Sequence, residues 1–412
     1  MMRAPTEDDV TTTLDRSWSC YPEGPENPRR RFLRSLAIAA AGASVGFRGR
    51  VASAQDAVAV DENVLSTEDV VAFPEGAVRL NFNENPIGPS PRAIAAILED
   101  GLRESNRYSY VDPLRKEIAR RNGVGAENVL MGCGSTEFLQ IAPWTFLRKG
   151  GRLVLAKPTY SWCAGVARVM GAEVTEVPLQ SDGAIALEAM KRAISAINKD
   201  TRLVYVANPD NPTGASLPLG AIEDLANALP EGAVLLVDEA YVDFLPQGES
   251  SVSLVRKGAP VIVARTFSKA FGLAGLRLGY VIAPTNLIEP LKLLWTLDMG
   301  VNSAANAGGL GALSDQAHVD RYVKLVDDGL AYLRSGLSEL GVKSLPHRAP
   351  FFMADLGREA APVVLALARE KVYVRDGKSW EMPTHLRISV GLPDENRIFL
   401  EKLHGALSGR RG

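Results

Sequence analysis

Hydrophobic and polar positions divide the chain into two regions with different patterns. From about residue 128 to 282, short runs of branched apolar residues alternate with stretches in which apolar residues recur at helical spacing. A strand that is covered by helices on both sides buries both of its faces, so it shows a continuous apolar run instead of strict alternation. The pattern therefore predicts an α/β fold with a largely parallel sheet. The predicted strands span residues 152–156, 173–179, 202–207, 233–240, 260–266 and 278–283, and predicted helices span 161–170 and 187–197.

The pattern changes after about residue 302. A long helical stretch reaches Leu340, and it is followed by the strand-like segments "PFFMADLG" and "HLRISVG" and by a closing helix near 396–407. This order indicates a second, smaller α+β domain. We expect a large domain at 105–302 and a small domain at 303–412, with an arm and helix in 55–104 that joins the small domain.

Residues 1–54 have the features of an export signal. Arg29 and Arg30 precede a weakly hydrophobic run at 36–47, and a small-residue cleavage site follows at 52–54. The run is shorter than the roughly 20 apolar residues that a membrane-spanning helix needs. The segment resembles a twin-arginine (Tat) signal peptide, which would use the Tat export machinery and give a periplasmic or secreted protein. A basic disordered tail or a mitochondrial presequence is the alternative, and without export the protein would be cytoplasmic.

Composition excludes several classes of function. The chain has 412 residues, 46% of them hydrophobic, and a formal net charge of −2, so it offers no basic excess for binding nucleic acid. Its four histidines are scattered, and its three cysteines lack metal-ligand spacing. We therefore expect no metal site, no nucleic-acid partner and no stable membrane span.

Polar residues follow several of the predicted strands. "GCGSTE" (132–137) forms a glycine turn that could seat an anion at a helix N-terminus. "KPTY" places Tyr160 after one strand, "NPDNPTG" presents Asn211 after another, and "LLVDEAY" ends a third with Asp238. Taken singly, the glycine turn is more typical of a helix cap and Tyr160 of a core residue. Since ligands of such sheets bind at the carboxyl ends of the strands, we expect these residues at one site.

The segment "RTFSKAFGLAGLRLG" (265–279) places Lys269 in a run of mostly small and apolar residues. A lysine is usually a solvated surface charge, and Lys269 taken alone would be read in that way. Asp238 is an isolated carboxylate in an apolar strand, and such a group needs a cationic or hydrogen-bonding partner.

In this order the motifs resemble those of the fold type I pyridoxal-phosphate enzymes, the class I/II aminotransferases. The resemblance covers residues 77–408 and rests on "NPTG", "VDEAY" and "TFSKAFGLAGLRLG". "LNFNENPIGPSP", "NRYSY" and "LRISVGLPDEN" are most similar to the histidinol-phosphate aminotransferase branch. The resemblance implies the PLP-dependent transferase fold type I, with a mostly parallel seven-stranded sheet in the large domain. It also implies pyridoxal 5′-phosphate (PLP) as cofactor, an amino acid or amino phosphate as donor and a 2-oxo acid as acceptor.

The resemblance further implies roles for individual residues. Lys269 would bond covalently to the cofactor aldehyde and move the substrate proton, while Asp238 would pair with the pyridine nitrogen and Tyr241 would hydrogen-bond the ring hydroxyl. The other cofactor contacts would be made by Ser135, Thr136, Thr266, Ser268 and Arg277 at the phosphate, and by Tyr160 and Asn211 at the ring.

Tyr108 matches a tyrosine that reaches the phosphate of a neighbouring subunit, which implies a homodimer with shared active sites. Substrate contacts are expected from Arg387, Arg375, Asn83 and Asn211. Two rival functions stay open at this point. One is a PLP-dependent decarboxylase or other α-carbon lyase of the same fold, and the other is a non-catalytic binding or regulatory protein built on it.

Overall fold

The computed structural model describes residues 73–196, 200–295, 297–346 and 348–409. The predicted export signal at 1–54 lies outside the described residues. The largest sheet has seven strands, in the spatial order β2-β8-β7-β6-β5-β3-β4. Their bounds are β2 Val129–Gly132, β3 Arg152–Lys157, β4 Glu173–Pro178, β5 Thr201–Ala207, β6 Val234–Asp238, β7 Val261–Thr266 and β8 Gly279–Ile282.

All six predicted strands are present in this sheet, and β2 is the seventh. Six strands of this sheet run in the same direction, whereas β8 runs antiparallel to both of its neighbours, β7 and β2. This confirms the predicted mostly parallel seven-stranded sheet and the α/β class.

Helices cover the seven-stranded sheet on both faces, as the continuous apolar runs predict. Along β5, Val204 and Val206 belong to one buried cluster and Leu203 and Tyr205 to another. Successive side chains of a strand point to opposite faces, so both faces of this strand are packed. Within the described residues, the α-helices are α1 Pro91–Ala96, α2 Asp112–Asn122, α3 Ser135–Phe146, α4 Trp162–Val169, α5 Leu187–Ala196, α6 Leu219–Asn227, α7 Val252–Arg256, α8 Thr285–Lys292, α9 Ser303–Leu313, α10 Gln316–Glu339, α11 Ala361–Arg369 and α12 Pro393–Leu407.

A second sheet follows the first along the chain. Four strands, β9 Lys343–Ser344, β10 Phe351–Asp355, β12 Arg375–Asp376 and β13 His385–Ser389, form an antiparallel sheet in the order β12-β13-β10-β9. Helices α10, α11 and α12 cover it, and their apolar side chains share one buried cluster with Phe352 and Ile388. The long helical stretch predicted to reach Leu340 is therefore two helices, α9 and α10.

The segment before α1 crosses to the smaller sheet. Strand β1, Val78–Arg79, pairs in parallel with β11, Val372–Tyr373, and Leu80 is buried in the cluster of the smaller sheet. Ala93 in α1 is instead buried in a cluster of the seven-stranded sheet. Among the described helices, none is long and apolar enough to cross a membrane.

Candidate active site

A cavity of about 330 Å³ opens at the carboxyl ends of the parallel strands. It brings together every predicted site residue except Tyr108, whose side chain is 85% exposed. The predicted residues that line the cavity are Asn83, Ser135, Thr136, Tyr160, Asn211, Asp238, Tyr241, Thr266, Ser268, Lys269, Arg277, Arg375 and Arg387.

One end of the cavity can bind an anion. Gly134 has a backbone conformation (φ 81°, ψ 165°) that is almost restricted to glycine, and α3 begins at the next residue, Ser135. A Cβ atom on Gly134 would lie 2.4 Å from a terminal guanidinium nitrogen (Nη2) of Arg277. Arg277 also donates to the Ser268 hydroxyl, which is 2.9 Å from that of Thr266. Free backbone amides, hydroxyl groups and a guanidinium therefore converge on a space that suits a phosphate.

Lys269 reaches into the same cavity from the chain that follows β7. Its Nζ atom donates a hydrogen bond to the carbonyl of Phe82 (3.1 Å) and lies 5.6 Å from the centroid of the Tyr241 ring. Burial lowers the pKa of Lys269 to about 8, and the nearby Arg387 cation contributes. A neutral amine is consequently accessible near neutral pH, and only a neutral amine can attack a carbonyl carbon or accept a proton.

Asp238 ends β6 as a buried carboxylate. It accepts hydrogen bonds from the Tyr205 hydroxyl (3.2 Å) and the Ala240 amide (3.1 Å). Burial nevertheless raises the pKa of Asp238 to about 6. A carboxylate in this state is stabilised by a cationic partner, and a protonated pyridine nitrogen is one.

Tyr241 is held by a hydrogen-bond chain that starts on β13. The Ser389 hydroxyl donates to Asn83 Oδ1 (2.8 Å), and Asn83 Nδ2 donates to the Tyr241 hydroxyl oxygen (3.1 Å). Because the tyrosine oxygen accepts from Asn83, its own hydrogen can point to a ligand in the cavity. Burial also raises the pKa of Tyr241 to about 12, so the hydroxyl keeps that hydrogen.

Arg387 is a buried cation in the cavity, anchored by two hydrogen bonds. Its guanidinium donates to Asn211 Oδ1 (2.7 Å) and to the Asn81 carbonyl (2.5 Å). Since Asn211 Oδ1 accepts from Arg387, the Asn211 NH₂ group faces elsewhere and can donate to a ligand. Arg375 lies directly opposite Arg387 on the neighbouring strand. Two guanidinium groups therefore line one part of the cavity.

Sequence reasoning missed several residues of this site. Phe82, Glu84, Ala207, Pro209, Ala240 and Ala274 also line the cavity. Ser389, which positions Asn83, was missed as well, although it follows Arg387 by two residues and so shares its face of β13. Within the described residues, no group of histidine, cysteine and acidic side chains could hold a metal ion.

The residues present fit PLP. The conformation of Gly134 leaves open the space beside Arg277 that a phosphate needs, and Asp238 is a buried carboxylate that accepts hydrogen bonds from two uncharged donors, the Tyr205 hydroxyl and the Ala240 amide. Lys269 supplies an amine of lowered pKa between these two features.

Comparison with known proteins places the chain in a family. Residues 75–403 match the family model "Aminotransferase class I and II". The chain is 38% identical over 332 residues to a histidinol-phosphate aminotransferase of Symbiobacterium thermophilum, covering 80% of this chain and 90% of that protein. The solved structure of a Sinorhizobium meliloti histidinol-phosphate aminotransferase in complex with PLP is similar at a TM-score of 0.75 and 26% identity, covering 81% and 92%.

A lyase shares the same fold. The structure of an L-threonine-O-3-phosphate decarboxylase from Porphyromonas gingivalis is similar at a TM-score of 0.71 and 23% identity, covering 80% of this chain and 99% of that one. At this identity the likeness concerns the fold alone. The family match and the curated relative decide the class: the chain belongs to the class I and II aminotransferases and is a PLP-dependent transaminase.

Proposed function

We propose that this enzyme transfers an amino group from an amine with an anionic tail to a 2-oxo acid, and that histidinol phosphate is the first donor to test. The similarity to histidinol-phosphate aminotransferases supports this donor. The observation that carries the proposal is the pairing of Arg375 and Arg387 in the cavity that contains Lys269. One guanidinium can bind the carboxylate of an oxo acid or amino acid, and the second can bind another anionic group.

The same proposal gives the predicted cofactor-binding residues their roles toward PLP. When bound, PLP supplies an electron-poor ring that accepts the electron pair left at the amine carbon once its proton departs. Asp238 would hold the pyridine nitrogen in its protonated form, Tyr241 and Asn211 would donate to the ring hydroxyl, and Tyr160 would pack on the ring. The phosphate would be held by Ser135, Thr136, Thr266, Ser268 and Arg277.

Lys269 would carry the proton. With its pKa near 8, about one amine in ten is neutral at pH 7, so the Nζ atom can accept the proton from the substrate Cα. The protonated Nζ would then return that proton to the cofactor carbon, and water would release the oxo product, which leaves the amino group on the cofactor. Arg387 would meanwhile fix an anionic group of the substrate, which is the phosphate in histidinol phosphate and a carboxylate in an amino acid, because Asn211 and Asn81 anchor its guanidinium.

An amino-donor panel tests this function. The purified full chain would be loaded with PLP and mixed with histidinol phosphate, L-glutamate, L-aspartate and L-alanine while the cofactor absorbance is followed. Transamination predicts stable conversion to the aminated cofactor and one equivalent of oxo product. Release of CO₂ without that conversion would favour the decarboxylase, and an unchanged spectrum with every donor would contradict the proposal.

We also propose that the enzyme is a homodimer in which Tyr108 reaches the partner's phosphate site. Support comes from the exposed apolar side chains before and after it, since Leu102, Tyr108 and Tyr110 are each more than half exposed. Light scattering of the purified protein tests the dimer. Tyr108→Phe should weaken PLP binding without changing the dimer, and a monomeric wild type would contradict the proposal.

We further propose that residues 1–54 direct export through the Tat machinery and that the mature enzyme is periplasmic or secreted. The order of Arg29-Arg30, the apolar run at 36–47 and the small residues at 52–54 supports this. Changing both Arg29 and Arg30 to lysine should retain the protein in the cytoplasm, while the same change at Arg48 and Arg50 serves as a matched control. Wild-type enzyme found only in the cytosolic fraction would refute export.

The division into a large domain at 105–302 and a small domain at 303–412 also stays a proposal. It is supported by the two separate sheets and by the burial of Leu80 with the smaller one. Limited proteolysis of the purified protein, with the fragments identified by mass, tests these boundaries.

A further inference from the structure

A buried tyrosine lies behind the carboxylate of Asp238. Tyr205 is on β5, which pairs in parallel with β6, the strand that Asp238 ends. Asp238 lies opposite Ala207, two residues beyond Tyr205, so the side chains of Tyr205 and Asp238 are on the same face of the sheet. Along this diagonal the Tyr205 hydroxyl donates to Asp238 Oδ2 at 3.2 Å. Tyr205 does not line the cavity, so it can act on a ligand there through Asp238.

The surroundings of the Tyr205 ring hold it in place. The side chain is 0% exposed and belongs to a buried cluster on one face of the seven-stranded sheet, which also contains Cys163 and Ala164 of α4. Burial, together with the nearby Asp238 carboxylate, raises the pKa of Tyr205 well above its ordinary value. The hydroxyl therefore keeps its hydrogen and donates it to Asp238.

Two donors hold the two oxygens of Asp238. The Ala240 amide donates to Oδ1 at 3.1 Å, and the Tyr205 hydroxyl donates to Oδ2. Each carboxylate oxygen has two lone pairs, so each keeps one for a further donor. Because the carboxylate is bonded at both oxygens, its plane has a fixed direction. Asp238 lines the cavity, so a remaining lone pair is available to a ligand there.

The Tyr205 hydroxyl also affects the charge of Asp238. Burial raises the pKa of Asp238 to about 6, whereas the hydrogen bonds from Ala240 and Tyr205 act in the opposite direction. Hydrogen bonds to the charged form of a group favour that form. Without the hydroxyl, protonated Asp238 would become more stable. A proton shared between Asp238 and a bound pyridine nitrogen would then shift toward the carboxylate.

From this geometry we propose that Tyr205 is a positioning residue that keeps Asp238 ionised and oriented toward the charged ring nitrogen of the cofactor. The positive charge on that nitrogen makes the ring electron-poor, and so Tyr205 supports the chemistry without touching the cofactor. This inference rests on the proposed role of Asp238 at the pyridine nitrogen.

Binding of two ligands to the full-length apoenzyme, each titrated by calorimetry, tests the inference. The first is pyridoxamine 5′-phosphate, which has the ring nitrogen but no aldehyde and therefore forms no bond to Lys269. The second is its carbocyclic analogue, in which a C–H group replaces the ring nitrogen. Tyr205→Phe should weaken binding of pyridoxamine 5′-phosphate about tenfold, as expected for a lost hydrogen bond to a charged group, and binding of the analogue by no more than about twofold.

The nitrogen NMR signal of ¹⁵N-labelled pyridoxamine 5′-phosphate gives a second readout, because it reports whether the ring nitrogen is protonated. In Tyr205→Phe this signal should move toward that of the unprotonated nitrogen. A double-mutant cycle gives a third readout. In the Asp238→Asn background, Tyr205→Phe should weaken binding of pyridoxamine 5′-phosphate by no more than about a further twofold, since the hydroxyl acts through Asp238.

Tyr280→Phe serves as the matched control. Tyr280 is a buried tyrosine of the same sheet (6% exposed), and its partner across the strands is Arg265 on β7. This variant should leave both affinities and the nitrogen signal unchanged. If Tyr205→Phe does not fold, Tyr205→Met decides, because its flexible apolar side chain fills the space without a donor and the ratio of the two affinities must still fall.

Equal losses for the two ligands in Tyr205→Phe would show a merely structural role and overturn the inference, as would an unchanged nitrogen signal. A wild type that does not prefer pyridoxamine 5′-phosphate to the carbocyclic analogue would refute both the role of Asp238 and this inference. A wild type with that preference that reacts with no amine donor would refute the proposed function and leave this inference standing.

Discussion

Gly134 offers the sharpest test of how the backbone builds the anion end of the active site. Its φ of 81° and ψ of 165° fall in a region that side chains essentially forbid. A Cβ atom there would also meet Arg277 Nη2 at 2.4 Å, far inside van der Waals contact. Gly134→Ala therefore does two things at once: it strains the backbone, and it pushes the Arg277 guanidinium out of its place.

The two effects have different sizes and different readouts. Backbone strain of this kind costs about 1–3 kcal/mol and lowers the free energy of unfolding with or without cofactor. Loss of a charge-assisted hydrogen bond to a phosphate costs about 1.5–3 kcal/mol and acts only on the cofactor complex. PLP should therefore bind the variant about 10- to 100-fold more weakly than the wild type.

Equilibrium titration of the apoenzyme with PLP measures the second effect, and urea unfolding of the apoenzyme measures the first. The matched control is Gly165→Ala in α4, where a Cβ atom meets nothing within 4 Å and the backbone is helical. It should bind PLP normally and be stabilised by about 0.5–1 kcal/mol, because alanine favours helix over glycine. If Gly134→Ala bound PLP as tightly as the wild type, the inferred phosphate seat would be wrong.

Four further outcomes are expected. Asp238→Asn should slow the half-reaction with an amine donor on the order of a hundredfold in single-turnover kinetics, because a neutral amide cannot hold a protonated ring nitrogen. A rate within twofold of the wild type would contradict the pairing of Asp238 with the pyridine nitrogen. Covalent capture of PLP by the apoenzyme should accelerate as the pH rises through about 8, because this is the lowered pKa of Lys269. A midpoint near the ordinary lysine pKa of 10.5 would contradict the burial of Lys269. Between pH 8 and pH 10.5 the folded state binds fewer protons at Lys269 than the unfolded state does. The contribution of Lys269 to the free energy of unfolding should therefore rise with pH over this range. Urea unfolding of the wild type and of Lys269→Met at several pH values measures it. Ser389→Ala should lower the free energy of unfolding by about 1–2 kcal/mol. It should also weaken PLP binding, because Asn83 can then turn its amide away from Tyr241. Ser389→Thr keeps the hydroxyl and should restore most of both losses.

The sequence by itself determined where the buried strands lie and which residues end them. Continuous apolar runs are a local property, so they marked β3 to β8 within a few residues. The glycine, proline and acidic residues that follow those runs could be read as strand ends for the same reason. Since parallel strands present their carboxyl ends at one edge, the sequence predicts Tyr160, Asn211 and Asp238 at one site, and the family resemblance adds Thr266 and Lys269.

Tertiary structure alone decided the direction of β8 and the partners of the site residues. An apolar run has the same pattern in either direction, so nothing local indicated that β8 runs antiparallel to its neighbours. Asn83 and Ser389 are 306 positions apart, and their hydrogen bonds exist only because β1 and β13 belong to one folded unit. The lowered pKa of Lys269 has the same origin. Burial and charge proximity are properties of the assembled site, which no local stretch of sequence contains.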